Sequence, residues 1–209
     1  MNVRLKSVSA AVTLPLSLSE AKLALRVDVP DDDALIADLI RSAADYVQDQ
    51  TWSSLYLQTW ELVLPGFPGC VAYRDCACYW HARPQAIRLP RPPAASIVAI
   101  TYRDADGDAV VLDPGEYQLC TADDGAWVVP AYGSQWPATN LEAPEPVVIE
   151  YTAGYDGSTR PFPMQAKQAV RLLVGHWYEN RETVVVGTIN SELQVSVAQL
   201  CRNLSFWRF

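Results

Sequence analysis

Two amphipathic stripes, one towards each end of the chain, constrain the fold more than any other feature. In 161–182, PFPMQAKQAVRLLVGHWYENRE, the residues Ala166, Ala169, Val170, Leu173, Val174 and Trp177 fall at i, i+3, i+4, i+7, i+8 and i+11. That spacing is one continuous face of an α-helix. Lys167, Gln168, Arg171 and Glu179 fall on the other side. Pro163 suits a first-turn position, where its missing N–H deprives no carbonyl of a partner. Gly175 interrupts the pattern at a cost of about 1 kcal/mol against Ala, which predicts a close approach by another segment. From Asp33 to about Gln50, the residues Ile36, Leu39, Ile40, Ala43, Ala44 and Val47 repeat the stripe. Ile36, Leu39, Ile40, Val170, Leu173 and Trp177 are therefore the predicted core of one helical unit.

Between the stripes the period changes from helical to alternating. In Leu57–Leu64, Trp60, Leu62 and Leu64 alternate with Thr59, Glu61 and Val63, which reads as a strand. Ala86–Leu89, Ile97–Arg103, Ala109–Leu112, Tyr117–Cys120, Ala126–Val129 and Val147–Thr152 read as further short strands, with Pro, Gly and Asp in the turns. Asp104, Asp106, Gly107 and Asp108 share residues with a calcium loop, but the downstream bidentate acid is missing, and a hairpin turn explains them more simply. At the N-terminal side, residues 1–16 read as an extended arm. Ser17-Leu18-Ser19-Glu20 is a capping box opening a short helix to about Leu25. Asp31-Asp32-Asp33 is expected to cap the helix that follows. A final shorter helix is expected near Glu192–Arg202.

The predicted fold class is α+β, a helical bundle from the N- and C-terminal helices with an inserted antiparallel β subdomain. Residues 1–56 form the arm and first helices, 57–155 the β subdomain, and 156–209 the C-terminal helices and tail. Segments 1–56 and 156–209 are expected to pack as one unit.

Charge excludes one broad class of function. The net charge is −8, which argues against gripping nucleic acid through its phosphates. The charge is uneven: residues 1–60 hold 5 basic and 8 acidic groups, 61–160 hold 6 and 13, and 161–209 hold 5 and 3. No window approaches eighteen apolar residues, so no membrane span is expected. The mildly apolar Val8–Leu18 run lacks a convincing cleavage site, and a signal peptide is not expected. Five cysteines, an odd number, fit a reducing compartment better than a disulfide framework.

Few constellations support chemistry. Cys70, Cys76, Cys78 and His81 lie within twelve residues and supply thiolates and an imidazole suited to zinc. Their spacing lacks the paired Cys-x-x-Cys turns of a zinc knuckle or ribbon, so no metal is expected there. With only His81 and His176 in the chain, a nucleophilic pair would need one of them. No nucleophile elbow or phosphate-binding glycine loop is present. Asp123 and Asp124 sit before a glycine in a turn. Neither catalytic residues nor a cofactor are expected, and the chain does not read as an enzyme. The tail is more informative. Phe206, Trp207, Arg208 and Phe209 are residue types enriched at interface anchors, whereas chain ends are usually solvated and polar.

The chain resembles the head–tail connector (adaptor) proteins of long-tailed bacteriophages and prophages. The resemblance runs in order through LSLSEAKLALRVDVPDDDALIADLIRSAADYVQDQT (16–51), LQTWELVLPGFP (57–68), IRLPRPPAASIVAITYRDADGD (87–108), LDPGEYQL (112–119), VVPAYGSQWP (128–137), VVIEYTAGY (147–155) and MQAKQAVRLLVGHWYENRETVVVG (164–187). The 69–85 cysteine loop departs from it. The resemblance implies a structural virion protein, assembled in the bacterial cytoplasm and located at the neck. Twelve copies would form a ring beneath the portal protein and extend the DNA channel. The ring would present a surface to the next head-completion or tail protein, and the packaged DNA would pass through without sequence-specific binding. Phe206, Trp207 and Phe209 are expected to dock on the portal as anchors with Arg208 pairing with an acid, and the arrangement in the resembled family, where C-terminal segments reach the portal, points the same way. The alternatives are a zinc-stabilised binding module using the cysteine loop, or a monomeric β-rich ligand-binding protein using the Trp and Tyr residues of the β region.

Overall fold

The computed structural model describes residues 4–8, 13–68, 85–122, 125–180 and 191–204. The chain divides into two compact units. One holds the N-terminal strand and 58–154, the other the remaining described residues up to 57 and from 155 onward.

The helical unit contains α1 (Leu18–Leu25), α2 (Asp33–Thr51), α3 (Met164–Glu179) and α4 (Ser191–Leu204). Ser17 opens α1 with a reciprocal capping box. Its Oγ accepts from the Glu20 N–H at 3.2 Å, and the Glu20 carboxylate accepts from the Ser17 N–H at 2.9 Å. These bonds hold the Glu20 carboxyl below its ordinary range. The helix closes on Arg26 in the left-handed region (φ 56°), with the Val27 N–H reaching back to the Lys22 carbonyl at 3.1 Å.

The expected Asp31-Asp32-Asp33 cap of α2 is not formed by side chains. Asp32 occupies the cap position without a side-chain cap bond. Its Oδ2 instead accepts from the Tyr178 hydroxyl of α3 at 2.6 Å, while Asp33 Oδ1 takes the Lys22 ammonium of α1 at 2.5 Å. The carboxylates tie the start of α2 to two neighbouring helices, contacts available only in the folded unit.

The core of this unit draws on Ile36, Ile40, Ala43, Ala44 and Val47 of α2, Ala166, Ala169, Val170, Leu173 and Val174 of α3, and Val197 and Cys201 of α4. Of the six core residues named from the sequence, Ile36, Ile40, Val170 and Leu173 are buried. Leu39 and Trp177 are half-buried at its margin. Trp177 lies edge-on to Tyr46, ring centroids 6.3 Å apart at 85°. Pro163 stands at the cap of α3, one residue before the first helical position. Gly175 does not mark a close approach: a Cβ there would meet no atom within 4 Å among the described residues.

The β unit holds two antiparallel sheets. In the first, β1 (Arg4–Ser7), β2 (Gln58–Leu64), β8 (Val147–Ala153), β4 (Ala94–Arg103) and β5 (Ala109–Val111) lie in the order β1-β2-β8-β4-β5. In the second, β3 (Ile87–Leu89), β7 (Gly125–Pro130) and β6 (Tyr117–Ala122) lie in the order β3-β7-β6. Arg4–Ser7, expected as part of an arm belonging with the helices, is an edge strand here, running from Arg4 opposite Val63 to Ser7 opposite Trp60. The unsatisfied backbone edge of β2 accounts for the pairing. Trp60, Leu62, Leu64, Ile100, Val147, Ile149 and Tyr151 from the first sheet share one apolar cluster with Ile87, Leu89, Ala126 and Val128 from the second. The Asp104–Asp108 segment is the β4–β5 hairpin turn. The Asp104 carboxylate accepts the N–H groups of Asp106 and Asp108 at 3.0 and 2.9 Å, so its own backbone occupies it.

Replacing Leu173 with Ala is expected to lower stability by about 3 kcal/mol in denaturant melts, the range for a buried leucine. Trp177→Ala, half-buried, should cost about half of the roughly 4 kcal/mol of a fully buried ring. Gly175→Ala should raise stability by about 0.5–1 kcal/mol, because the site is helical and open. A loss at Gly175→Ala would mean that something covers this face.

Candidate assembly surfaces

The residues of the candidate zinc set, Cys70, Cys76, Cys78 and His81, lie outside the described residues, as do Asp123, Asp124 and the aromatic tail Phe206, Trp207, Arg208 and Phe209. Among the described residues no group of three or more His, Cys, Asp or Glu stands close enough to hold a metal ion. Cys201 is buried in α4, and burial pushes its thiol up to about 11, which keeps it protonated at neutral pH. His176 sits near the end of α3 with Nδ1 3.1 Å from the Asn180 amide nitrogen. That amide also donates to the His176 carbonyl at 2.9 Å, a local closure of the helix end.

The buried polar groups of the β unit lock its own frame. The Tyr151 hydroxyl donates to the Pro90 carbonyl at 2.7 Å. Burial drives its phenol well above the ordinary tyrosine range, so it acts as a donor and not as a nucleophile. Arg91, in the left-handed region at φ 54°, holds its guanidinium 5.4 Å from the centre of the Trp60 ring.

The surface is more distinctive than the interior. Residues 131–146 join β7 to β8 without helix or strand, a long connection for a compact unit. It is held at several points. The Asn140 N–H donates to the Arg103 carbonyl at 2.9 Å, and the Arg103 N–H donates to the Pro146 carbonyl at 2.8 Å. The Trp136 ring stacks on Phe67, centroids 4.7 Å apart and 4° from parallel, and its indole N–H donates to the Gln85 carbonyl at 2.8 Å. A groove of about 380 Å³ lies beside this stack, lined by Phe67, Pro68, Gln85, Gln135, Trp136 and Pro137 among others.

At the start of the connection, Ala131-Tyr132-Gly133-Ser134 forms a tight turn closed by the Ser134 N–H on the Ala131 carbonyl at 2.9 Å. Gly133 supplies the positive φ, +84°, that its place in the turn requires. The Ala131 N–H donates to the Glu116 carbonyl at 2.8 Å, so the turn is fixed to the 3₁₀ turn Pro114–Glu116. The Tyr132 side chain is fully exposed, at 103%. Asp113 and Glu116 are exposed in the adjoining turn, and the Asp113 carboxylate is engaged by the Gly115 N–H at 2.7 Å. Ala-Tyr-Gly-Ser signals a turn in the sequence, but nothing there distinguishes a buried tyrosine from a projecting one.

The helical unit presents a face of different character. Met164, Gln168 and Arg171 follow one another at i, i+4 and i+7 on α3, on the side away from its buried stripe. Met164 is 72% exposed. The Arg171 guanidinium is braced by the Gln168 side chain at 3.1 Å. Lys167 is turned instead towards Glu20 at 3.7 Å and towards the Phe162 ring at 6.0 Å.

Residues 15–101 match the family described as phage gp6-like head-tail connector protein. The resemblance to head–tail connectors drawn from the sequence therefore holds. Among solved structures, a chain in the neck of an empty gene transfer agent (GTA) particle, computed with C6 symmetry, has a TM-score of 0.72 at 22% identity, covering 99% of this chain and 97% of that one. A chain of the virion of a native gene transfer agent particle gives 0.72 at 23%, covering 98% and 96%. A chain in the neck of the native particle, computed with C12 symmetry, gives 0.65 at 20%, covering 99% and 97%. These likenesses establish a shared fold over nearly the whole chain. No curated protein matches the sequence.

Replacing Trp136 with Phe keeps a ring on Phe67 and removes the donor to Gln85. We expect a loss of about 1 kcal/mol, the net value of one hydrogen bond, read as a shift of the denaturation midpoint. An unchanged midpoint would show that stacking alone holds the connection.

Proposed function

We propose that this chain is a head–tail connector, a structural protein of the neck of a phage-like particle. Copies form a ring beneath the portal protein, extend the DNA channel and offer the attachment surface for the next head-completion or tail protein. The observation that carries the reading is the match of residues 15–101 to the connector family. The fold shared with neck chains of the gene transfer agent particle supports it. The role needs no catalysis, metal or cofactor. Acidic groups at the turns of the β unit, at Asp104, Asp106, Asp108 and Glu142, suit a channel protein. Like charge keeps duplex phosphates from sticking, so DNA slides past.

The segment that docks on the portal is the tail, with Phe206, Trp207 and Phe209 as anchors and Arg208 paired with an acid of the portal. Three aromatics within four residues would leave a large apolar area in water if nothing covered them. Burying three rings of roughly 150–250 Å² each yields on the order of 11–19 kcal/mol gross. Ordering the segment and losing subunit freedom remove most of it. The remainder, repeated around a ring, suffices through avidity.

The structure sets where a test truncation must fall. Cys201 is buried and Leu204 packs on the helical core, so the tail begins after Leu204. A chain ending at Leu204 is expected to keep its far-UV circular dichroism and to lose most co-sedimentation with its portal. Full retention of portal binding by the folded, shortened chain would remove the tail from the contact.

A further inference from the structure

We propose that neighbouring copies in the ring meet through the Tyr132 turn of one copy and the Met164–Gln168–Arg171 face of α3 in the next. The inference rests on the ring reading above and assigns its lateral contact. Tyr132 is held on a turn closed by its own backbone bond and fixed to the turn at Glu116, with its side chain wholly in solvent. An aromatic presented on a pre-organised turn loses little entropy on docking, and tyrosine is a common interface anchor.

What Tyr132 would meet follows from its surroundings. Glu116 and Asp113 are exposed beside it. This end of the β unit therefore repels phosphate and favours a cation set next to an apolar seat. The α3 face offers both within about 10 Å of helix. The Met164 thioether is a soft contact for a ring edge. The Arg171 guanidinium can stack on the ring and pair with the Glu116 carboxylate. Asp113 is already engaged by the Gly115 N–H; Lys167 lies 3.7 Å from Glu20, and Arg171 adds only a weaker attraction to that same carboxylate, so Glu116 and Arg171 are the principal charged pair. The two patches belong to different parts of the chain. Each copy thus carries one of each, and the contact is head-to-tail, the kind that closes rings.

The test is a charge-reversal cycle on the full-length chain, with and without its portal, at low salt, read by mass photometry. Glu116→Arg, Arg171→Glu and Tyr132→Ala alter exposed or half-exposed side chains, and circular dichroism checks that each variant is folded. Each single change is expected to weaken ring formation by about tenfold or more, for the two charge reversals as the effect of a close interfacial charge pair and for Tyr132→Ala as the loss of an aromatic anchor. The double variant Glu116→Arg/Arg171→Glu is expected to recover assembly to within about threefold of the parent. Single variants that assemble like the parent overturn this contact and leave the ring reading standing. So does a double variant no better than the singles. A parent chain that forms no ring with its portal overturns both.

Discussion

The full-length pairing of β2 with β8 is the contact on which the rest of the chain depends. These strands open and close the 58–154 segment of the β unit, and their register runs from Gln58 opposite Ala153 to Leu64 opposite Val147. The chain therefore leaves for the β unit and returns from it at adjacent points. Helices far apart in sequence, α2 and α3, can then build one core without a strained connection. Closing so long an insertion carries an entropy cost that grows only slowly with its length. A seven-residue antiparallel ladder over the buried Trp60, Leu62, Ile149 and Tyr151 offsets it. The same pairing leaves one edge of β2 open, and β1 covers it.

Within the helical unit, polar groups suited to local capping are drawn into links between helices. Asp32 receives Tyr178, and Asp33 receives Lys22. The buried faces of α2 and α3 mix alanines at 43, 44, 166 and 169 with the larger Ile36, Ile40, Val47, Val170, Leu173 and Val174.

The surfaces divide along the same lines. The β unit concentrates acids at its turns and projects one tyrosine on a fixed loop. The α3 face offers a methionine and an arginine. In the interior, burial holds Tyr151 and Cys201 in their neutral forms.

The sequence by itself determined the elements whose signal is local. The period of 3.6 residues marked α2 and α3, alternation marked β2 and β8, and Ser17 with Glu20 marked the start of α1, because each pattern is complete within a few turns or pleats. The Asp104–Asp108 hairpin was legible for the same reason. Tertiary structure alone decided what depends on distant partners. Arg4–Ser7 has no period of its own and became a strand only because β2 offered an open edge. The sheet order β1-β2-β8-β4-β5 joins strands far apart in sequence. Asp32 gave up a cap for a tyrosine on another helix, and Gly175 proved open where close packing was expected. Tyr132 is exposed because no distant segment among the described residues packs over its turn. Burial is a property of what surrounds a residue in space, and a sequence window contains only its neighbours along the chain.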